Sequence, residues 1–307
     1  MPPRSEAVLL LTHFLDEHIV SLYRRLAAEA GARDVRILFN ATDDGNPGYR
    51  APGDAAVWPF GEADLRSLGY PRKGRHISDL DIELFSFPFQ RAHPEYEHVW
   101  IVEYDVDFTG SWSEVFDAFS SNDADLLATN IHRFADNPGW WNWRGVRGPG
   151  GRVATEALVR VFMPFSRMSR RAYATLDAAY RQGWRGHYEC TVPTILTQAA
   201  LRIEDIGGDG EFVRPANRNR FYTSTPTVND LSPGTFVFRP VMAAAGGRPN
   251  TLWHPVKPPG TRYVRGWRLG RMAAANRRLM ALARRAGRQW SWLRGRKRGE
   301  GNLESPG

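Results

Sequence analysis

An apolar run, His98-Val99-Trp100-Ile101-Val102, drives into Glu103-Tyr104-Asp105-Val106-Asp107 and stops at Phe108-Thr109-Gly110. Side chains alternate along a strand, so Glu103, Asp105 and Asp107 share one face as long as the backbone stays extended. Carboxylates that close repel unless a positive group stands between them. A hard divalent cation is the simplest such partner, and Mg²⁺ or Mn²⁺ held by one or two carboxylates commonly carries substrate phosphates as well. The same acids would also serve as the solvated cap of a strand end, and a bare Asp-x-Asp does not separate the two readings.

Three further segments carry reactive groups. In Gly183-Trp184-Arg185-Gly186-His187-Tyr188-Glu189-Cys190 the glycines let the backbone approach a ligand closely, and Glu189 follows as a candidate general base. Glutamates also concentrate in the first turn of helices, where the dipole favours them, so a purely structural Glu189 is the competing reading. Leu252-Trp253-His254-Pro255-Val256-Lys257 delivers a histidine that is either a metal or phosphate ligand or a packing residue. Trp140, Trp141 and Trp143, beside the turn residues Asn137-Pro138-Gly139, either stack on sugar rings or cover an apolar patch.

Positioning these groups requires strands that end together. Ala7 to Thr12 reads as a buried strand, Ile19, Leu22, Tyr23 and Leu26 recur at helical spacing up to Gly31, and Val35 to Phe39 is a second strand. Strand, helix and strand make a βαβ unit with parallel strands and a right-handed crossover. Its second strand ends at Asn40-Ala41-Thr42-Asp43, a polar edge of the kind at which open α/β sheets bind ligands. Residues 44 to 75 read mostly as loop, with a weak strand near Val57. Ser78 to Gln90 reads as helical at first, limited by Pro88. Ser111-Trp112-Ser113-Glu114 matches a capping box opening a helix through Phe119. Asp125 to Asn130 is a strand, Ser169 to Gln182 a helix stopped by Gly183, and Arg202 to Ile206 a late strand running into Gly207-Gly208-Asp209-Gly210. No internal repeat is visible.

Composition narrows the class. With 307 residues, 42% apolar and 24% charged, the chain has the balance of a globular protein and not of a disordered one. Its single cysteine, Cys190, excludes an internal disulfide and suits a reducing compartment. Ala7 to Leu11 is too short for a signal sequence, and no stretch reaches transmembrane length, so a cytoplasmic location is expected. The net charge of +8 is uneven: Thr261 to Gly299 carries thirteen Arg or Lys and no acid, while residues 1 to 260 stand at −3 and Glu300 and Glu304 close the balance. Two domains are therefore expected, a body over 1–260 and a basic amphipathic tail over 261–307.

Taken in order, these pieces resemble the GT-A class of nucleotide-sugar-dependent glycosyltransferases, over Ala7 to Pro258. The resemblance implies an α/β fold with a Rossmann-type mixed, mainly parallel sheet flanked by helices, followed by the basic helical tail. It implies a nucleotide site at Thr12, His13, Asn40, Thr42, Asp43 and Asp105. It further implies a Mn²⁺ or Mg²⁺ ion held by Asp105, Asp107 and His254, with Glu189 as the acidic catalytic residue. Trp140, Trp141, Trp143, Gly186 and His187 would meet the acceptor. One departure stands out, because many members carry Glu-Asp at the catalytic step where this chain reads Glu189-Cys190.

The implied reaction moves a sugar from a UDP- or GDP-linked donor to a hydroxyl of a glycan or lipid-linked acceptor. A divalent ion would neutralise the departing diphosphate as a Lewis acid, and Glu189 would take the acceptor proton, inverting the anomeric centre. A retaining reaction would not need that in-line base. Nucleotidyl transfer is a competing chemistry on the same kind of sheet, and an inert body anchored by its tail is a competing non-enzymatic reading. The tail, with Trp267, Trp290, Trp292 and interleaved arginines, fits an anionic membrane surface over residues 262–298, each basic residue contributing about 1 kcal/mol. That would place the protein on the inner face of a plasma membrane, at work on cell-envelope glycans. Nucleic acid is the less favoured partner, and a merely solvated tail is the alternative.

Overall fold

The computed structural model describes residues 6–41, 52–77 and 81–260. Its first strand, β1 (Glu6–Thr12), is buried at every position because both faces of the sheet are covered, which is why it shows no polar alternation. Helix α1 (Glu17–Glu29) starts at Asp16, whose carboxylate accepts the Ile19 N–H at 3.0 Å, and buries Ile19, Val20, Leu22, Tyr23 and Leu26. The chain returns as β2 (Asp34–Asn40), parallel to β1, so the predicted βαβ unit is present. Next come β3 (Val57–Phe60), α2 (Glu62–Ser67), α3 (Phe87–Ala92), β4 (His98–Glu103), β5 (Asp107–Phe108), α4 (Trp112–Ala118) and β6 (Leu126–Arg133). A small hairpin, β7 (Arg147–Gly148) with β8 (Gly151–Arg152), precedes β9 (Val159–Ser169), α5 (Arg170–Arg181), α6 (Tyr188–Gln198), β10 (Ile203–Asp205) and β11 (Leu252–Trp253).

Seven of these strands form one sheet in the order β10-β6-β9-β4-β1-β2-β3. β9 is antiparallel to both β4 and β6, and the other neighbouring pairs are parallel. The architecture is therefore the mixed, mainly parallel α/β sheet flanked by helices that the motif order implied. Ala7, Leu9, Leu11, Val99 and Ile101 pack on one face beneath α3, α5 and α6. Val8, Leu10, Trp100 and Val102 pack on the other, beneath α1 and α4. Each large side chain buried this way contributes about 1.5–3 kcal/mol, so both faces anchor the sheet. Since β9 alone is reversed, the ends of β1, β2, β4 and β6 share an edge with the beginning of β9. Thr12, Asn40, Glu103, His132 and Arg160 stand along that edge.

Several local expectations change. The span from Ser78 to Gln90 is a 3₁₀ turn, Ile82–Ser86, followed by α3, with Pro88 in the first turn, where its missing N–H breaks no ladder; residues 78–80 lie outside the described residues. The capping box at Ser111 and Glu114 does not form. Ser111 Oγ bonds Ser113 Oγ at 2.8 Å, while the Trp112 N–H donates to Glu29 of α1 at 2.8 Å. Residues 44 to 75 include α2, opened by Asp64 accepting the Gly61 N–H at 2.8 Å. The sequence reading assigned no element to β9 or α6, which hold Arg160 and Glu189. The basic tail, residues 261–307, lies outside the described residues, and among those described no helix is long and apolar enough to cross a membrane.

Candidate metal and acid–base site

β4 ends at Glu103 because the chain turns there. The Val106 N–H donates to the Glu103 carbonyl at 2.9 Å, while the Tyr104 N–H stays tied to the Leu11 carbonyl at 3.0 Å. The premise of a continuously extended backbone therefore fails, and with it the common face of the three acids. Asp105 is 5% exposed and turns into the protein. Asp107, expected as a metal ligand, starts β5 instead and accepts from Arg25 Nη1 at 2.9 Å and from the Phe108 N–H at 2.7 Å. Arg25 supplies the positive partner there, so Asp107 is held away from the other two acids.

β5 performs a second task by pairing antiparallel with β11, Asp107 opposite Trp253 and Phe108 opposite Leu252. That pairing carries the following residues past Asp105, whose carbonyl accepts the Val256 N–H at 2.8 Å. His254 is buried, and its Nδ1–H donates to the Val237 carbonyl at 2.7 Å, which leaves Nε2 facing Asp105 Oδ1 at 3.5 Å. Lys257 Nζ lies 3.1 Å from Asp105 Oδ2 and 3.0 Å from the Tyr104 hydroxyl. Glu103, Asp105 and His254 each offer one ligand atom, and these atoms lie within 4.8 Å of one another.

This donor set fits a divalent ion on two grounds. Asp105 Oδ1 is buried without a hydrogen-bond partner among the described residues. The His254 ring is held by a backbone carbonyl on one nitrogen and presents the other, the arrangement that orients a metal-binding imidazole. Burial, then repulsion from Asp105, pushes Glu103 up to about 7. Burial would raise Asp105 too, but His254 and Lys257 outweigh it and hold the carboxyl down at about 2. Burial works against a charged His254, yet Asp105 and then Glu103 keep its pKa above the ordinary value. His254 and Lys257 thus balance the charge of Asp105, and a divalent ion bound here would displace the His254 proton to reach Nε2.

Glu189 occupies the first turn of α6 but points inward. Burial pushes its carboxyl up to about 8, opposed by Arg160, while repulsion from Glu103 adds to the rise. His187 Nδ1 lies 3.8 Å from Glu189 Oε2. The glycines before it serve the fold: Gly183 (φ 91°) follows α5, and Gly186 adopts φ 130° where a Cβ would meet Val146 Cα at 2.9 Å. Close approach at Gly186 is thus to the 145–146 backbone. The Gly186 carbonyl is fastened by Lys73 Nζ at 3.2 Å, itself buried between Asp81 Oδ1 at 2.7 Å and Glu83 Oε1 at 2.8 Å. A cavity of ≈ 20 Å³, about one water in size, lies beside Glu83, Ser86, Glu103 and Tyr188.

Of the three tryptophans, Trp140 and Trp143 are buried, and only Trp141, 47% exposed, presents a face to solvent. Trp143 Nε1–H donates to the Asn137 carbonyl at 2.7 Å. Trp140 packs its edge against His187, ring centroids 5.6 Å apart, and lies under the Arg160 guanidinium at 4.3 Å. Of the expected nucleotide residues, Thr12 closes its own turn by donating to the Phe14 carbonyl at 2.8 Å. His13 packs edge-on against Tyr104 at 5.2 Å, and Asn40 is buried at the end of β2. Thr42 and Asp43 lie outside the described residues. A groove of ≈ 320 Å³, lined by His18, Arg25, Tyr104, Asp107 and Val256 among others, opens beside the turn at Asp105.

Sequence reasoning placed Glu103 on the carboxylate face beside a cation but left it out of the ligand set, gave Lys257 no role, and missed Lys73 and Arg160. The rarity of lysine, present only at 73, 257 and 297, is the one signal that marks two of them.

No family model matches the chain, and no curated protein matches it. Among solved structures the chain is similar to core-mannan synthase A from Aspergillus fumigatus in its Mn/GDP form, with 12% identity, 66% of this chain and 73% of that chain covered, and a TM-score of 0.31. It is also similar to the bifunctional glycosyltransferase WbbM in its apo form, with 10% identity, 66% of this chain covered and a TM-score of 0.39; the match spans 38% of that longer chain.

Proposed function

We propose that the chain is a metal-dependent glycosyltransferase that uses a nucleoside-diphosphate sugar. The observation that supports this reading is the convergence of Glu103, Asp105 and His254 at the carboxyl edge of the parallel strands, with Glu189 buried in the same electrostatic field. A divalent ion there would supply Lewis-acid neutralisation of a departing diphosphate. Two carboxylates with one imidazole suit Mn²⁺ better than Mg²⁺, which prefers an all-oxygen shell. Lys257, held between Asp105 and Tyr104, adds positive charge to the same edge. Glu189 accepts the proton of the attacking hydroxyl, and a carboxyl raised to about 8 is well matched to holding that proton afterwards. The acceptor is a hydroxyl of a glycan or a lipid-linked glycan, and the transfer inverts the anomeric centre.

Thermal unfolding with UDP or GDP tests the donor site. One of the two nucleotides at a hundred times its Kd should stabilise the fold by about 2.7 kcal/mol with Mn²⁺ or Mg²⁺ present, and by nothing measurable in EDTA. Equal stabilisation in EDTA would remove the metal from the reading, and release of pyrophosphate in place of nucleoside diphosphate would convert it to nucleotidyl transfer.

The basic tail docks the enzyme on anionic lipid at the inner face of the membrane, where a lipid-linked acceptor is presented. Truncation before residue 262 should abolish co-sedimentation with anionic vesicles, and undiminished binding by the truncated chain refutes the assignment.

A further inference from the structure

β9 carries two arginines that are both sealed from water and treated very differently. Arg167 Nη1 donates to Glu6 Oε1 at 3.1 Å and to the Phe119 carbonyl at 2.9 Å, and its Nη2 donates to the Asn122 carbonyl at 2.7 Å. Arg160 is 1% exposed, forms no ion pair among the described residues, and leaves Nε and Nη1 without a hydrogen-bond partner. A buried guanidinium in that state is strongly destabilising unless something compensates it.

Other unsatisfied polar atoms gather around it. The Trp140 ring lies 4.3 Å beneath the guanidinium, and His187 packs against that ring. His132 is the cross-strand neighbour of Arg160 on β6. His132 Nε2 and His187 Nδ1 are both buried without a hydrogen-bond partner. Burial holds both imidazoles at about 4, with Arg160 contributing, so at neutral pH they are uncharged and Arg160 remains the positive group. Glu189 acts on Arg160 only through space. Of this cluster the His187 side chain, 28% exposed, is the part open to solvent.

We propose that Arg160, floored by Trp140 and reached past His187, is a subsite for an anionic oxygen group, carboxylate or phosphate, carried by a sugar substrate. A planar guanidinium stacked on an indole keeps its N–H groups in plane for such an acceptor. A neutral sugar would leave the charge uncompensated. The assignment of a sugar rests on the reading of the neighbouring site as a sugar-transferring one.

The test uses the full chain in EDTA without nucleotide, so that failure of the metal site leaves its readout untouched. Thermal midpoints are followed against glucuronate, glucose 6-phosphate and glucose at matched ionic strength. At least one of the two anionic sugars should raise the midpoint saturably while glucose does not, and whichever does so names the anion. Arg160→Met should remove that response. Without sugar it should also melt several degrees higher than the native chain, because an apolar side chain replaces an unpaired buried charge. An equal response of the native chain to all three sugars overturns the proposal, and so does an Arg160→Met chain that melts lower, which would reveal a structural arginine.

Discussion

Asp105→Asn is expected to abolish metal-dependent nucleotide binding and to lower transfer by roughly 10²–10³-fold, the loss typical when one group that stabilises developing charge is removed. The residue is chosen over Asp107 on geometry. Asp105 faces His254 and Lys257 and shares the 4.8 Å cluster with Glu103, whereas Asp107 is neutralised by Arg25. Asp107→Asn should therefore leave the Mn²⁺-dependent thermal shift nearly intact. If Asp107→Asn lost that shift as completely as Asp105→Asn, the ligand set would be the one read from an extended strand, and the folded turn would be irrelevant to binding. The same substitution has a stability signature. With its pKa held at about 2 against an ordinary value of 3.8, Asp105 contributes about 2 kcal/mol, present above pH 4 and lost as the pH falls through 2. Asp105→Asn should flatten acid unfolding over that window.

The second large effect belongs to Glu189→Gln, which should remove nearly all transfer and yet stabilise the protein. The native carboxyl rises from an ordinary 4.5 to about 8, so the folded state binds the proton more tightly than the unfolded chain does. Stability is then greatest below pH 4.5 and falls with rising pH until the folded pKa is passed. Each pH unit in that window costs about 1.4 kcal/mol, roughly 3–5 kcal/mol in all. Glutamine mimics the protonated form and is blind to pH. The stability difference between Glu189→Gln and the native chain, measured by chemical denaturation in EDTA, should widen from pH 5 to pH 8 and level off above. A constant difference across that range would mean that Glu189 is ionised throughout. Activity of the native enzyme should rise through the same interval as the base loses its proton.

Much of the scaffold was legible because its signals are local. The helical recurrence of Ile19, Leu22, Tyr23 and Leu26, and the apolar runs at Ala7 and Val99, are consequences of burial on both faces of a parallel sheet. β9 was not legible. Pro164, Arg160 and Arg167 interrupt its apolar pattern, and they are tolerated only because neighbouring strands and helices bury the strand completely. The first turn of α6 was equally obscure, since its glutamate looks the same in sequence whether it faces water or the interior.

The chain's own residue order determined that a strand would deliver carboxylates to one edge of an α/β sheet, and that His254 and Glu189 were the remaining groups to watch. Which carboxylates meet was decided by tertiary structure. The hydrogen bond from Val106 to Glu103 bends the strand, the pairing of β5 with β11 imports His254, and Arg25 claims Asp107. Strand periodicity assumes an unbroken backbone, whereas ligand geometry depends on where that backbone turns and on which distant segment is hydrogen-bonded beside it. The Arg25–Asp107 contact spans 82 residues and the β5–β11 pairing joins Asp107 to Trp253, ranges over which sequence spacing carries no geometric information.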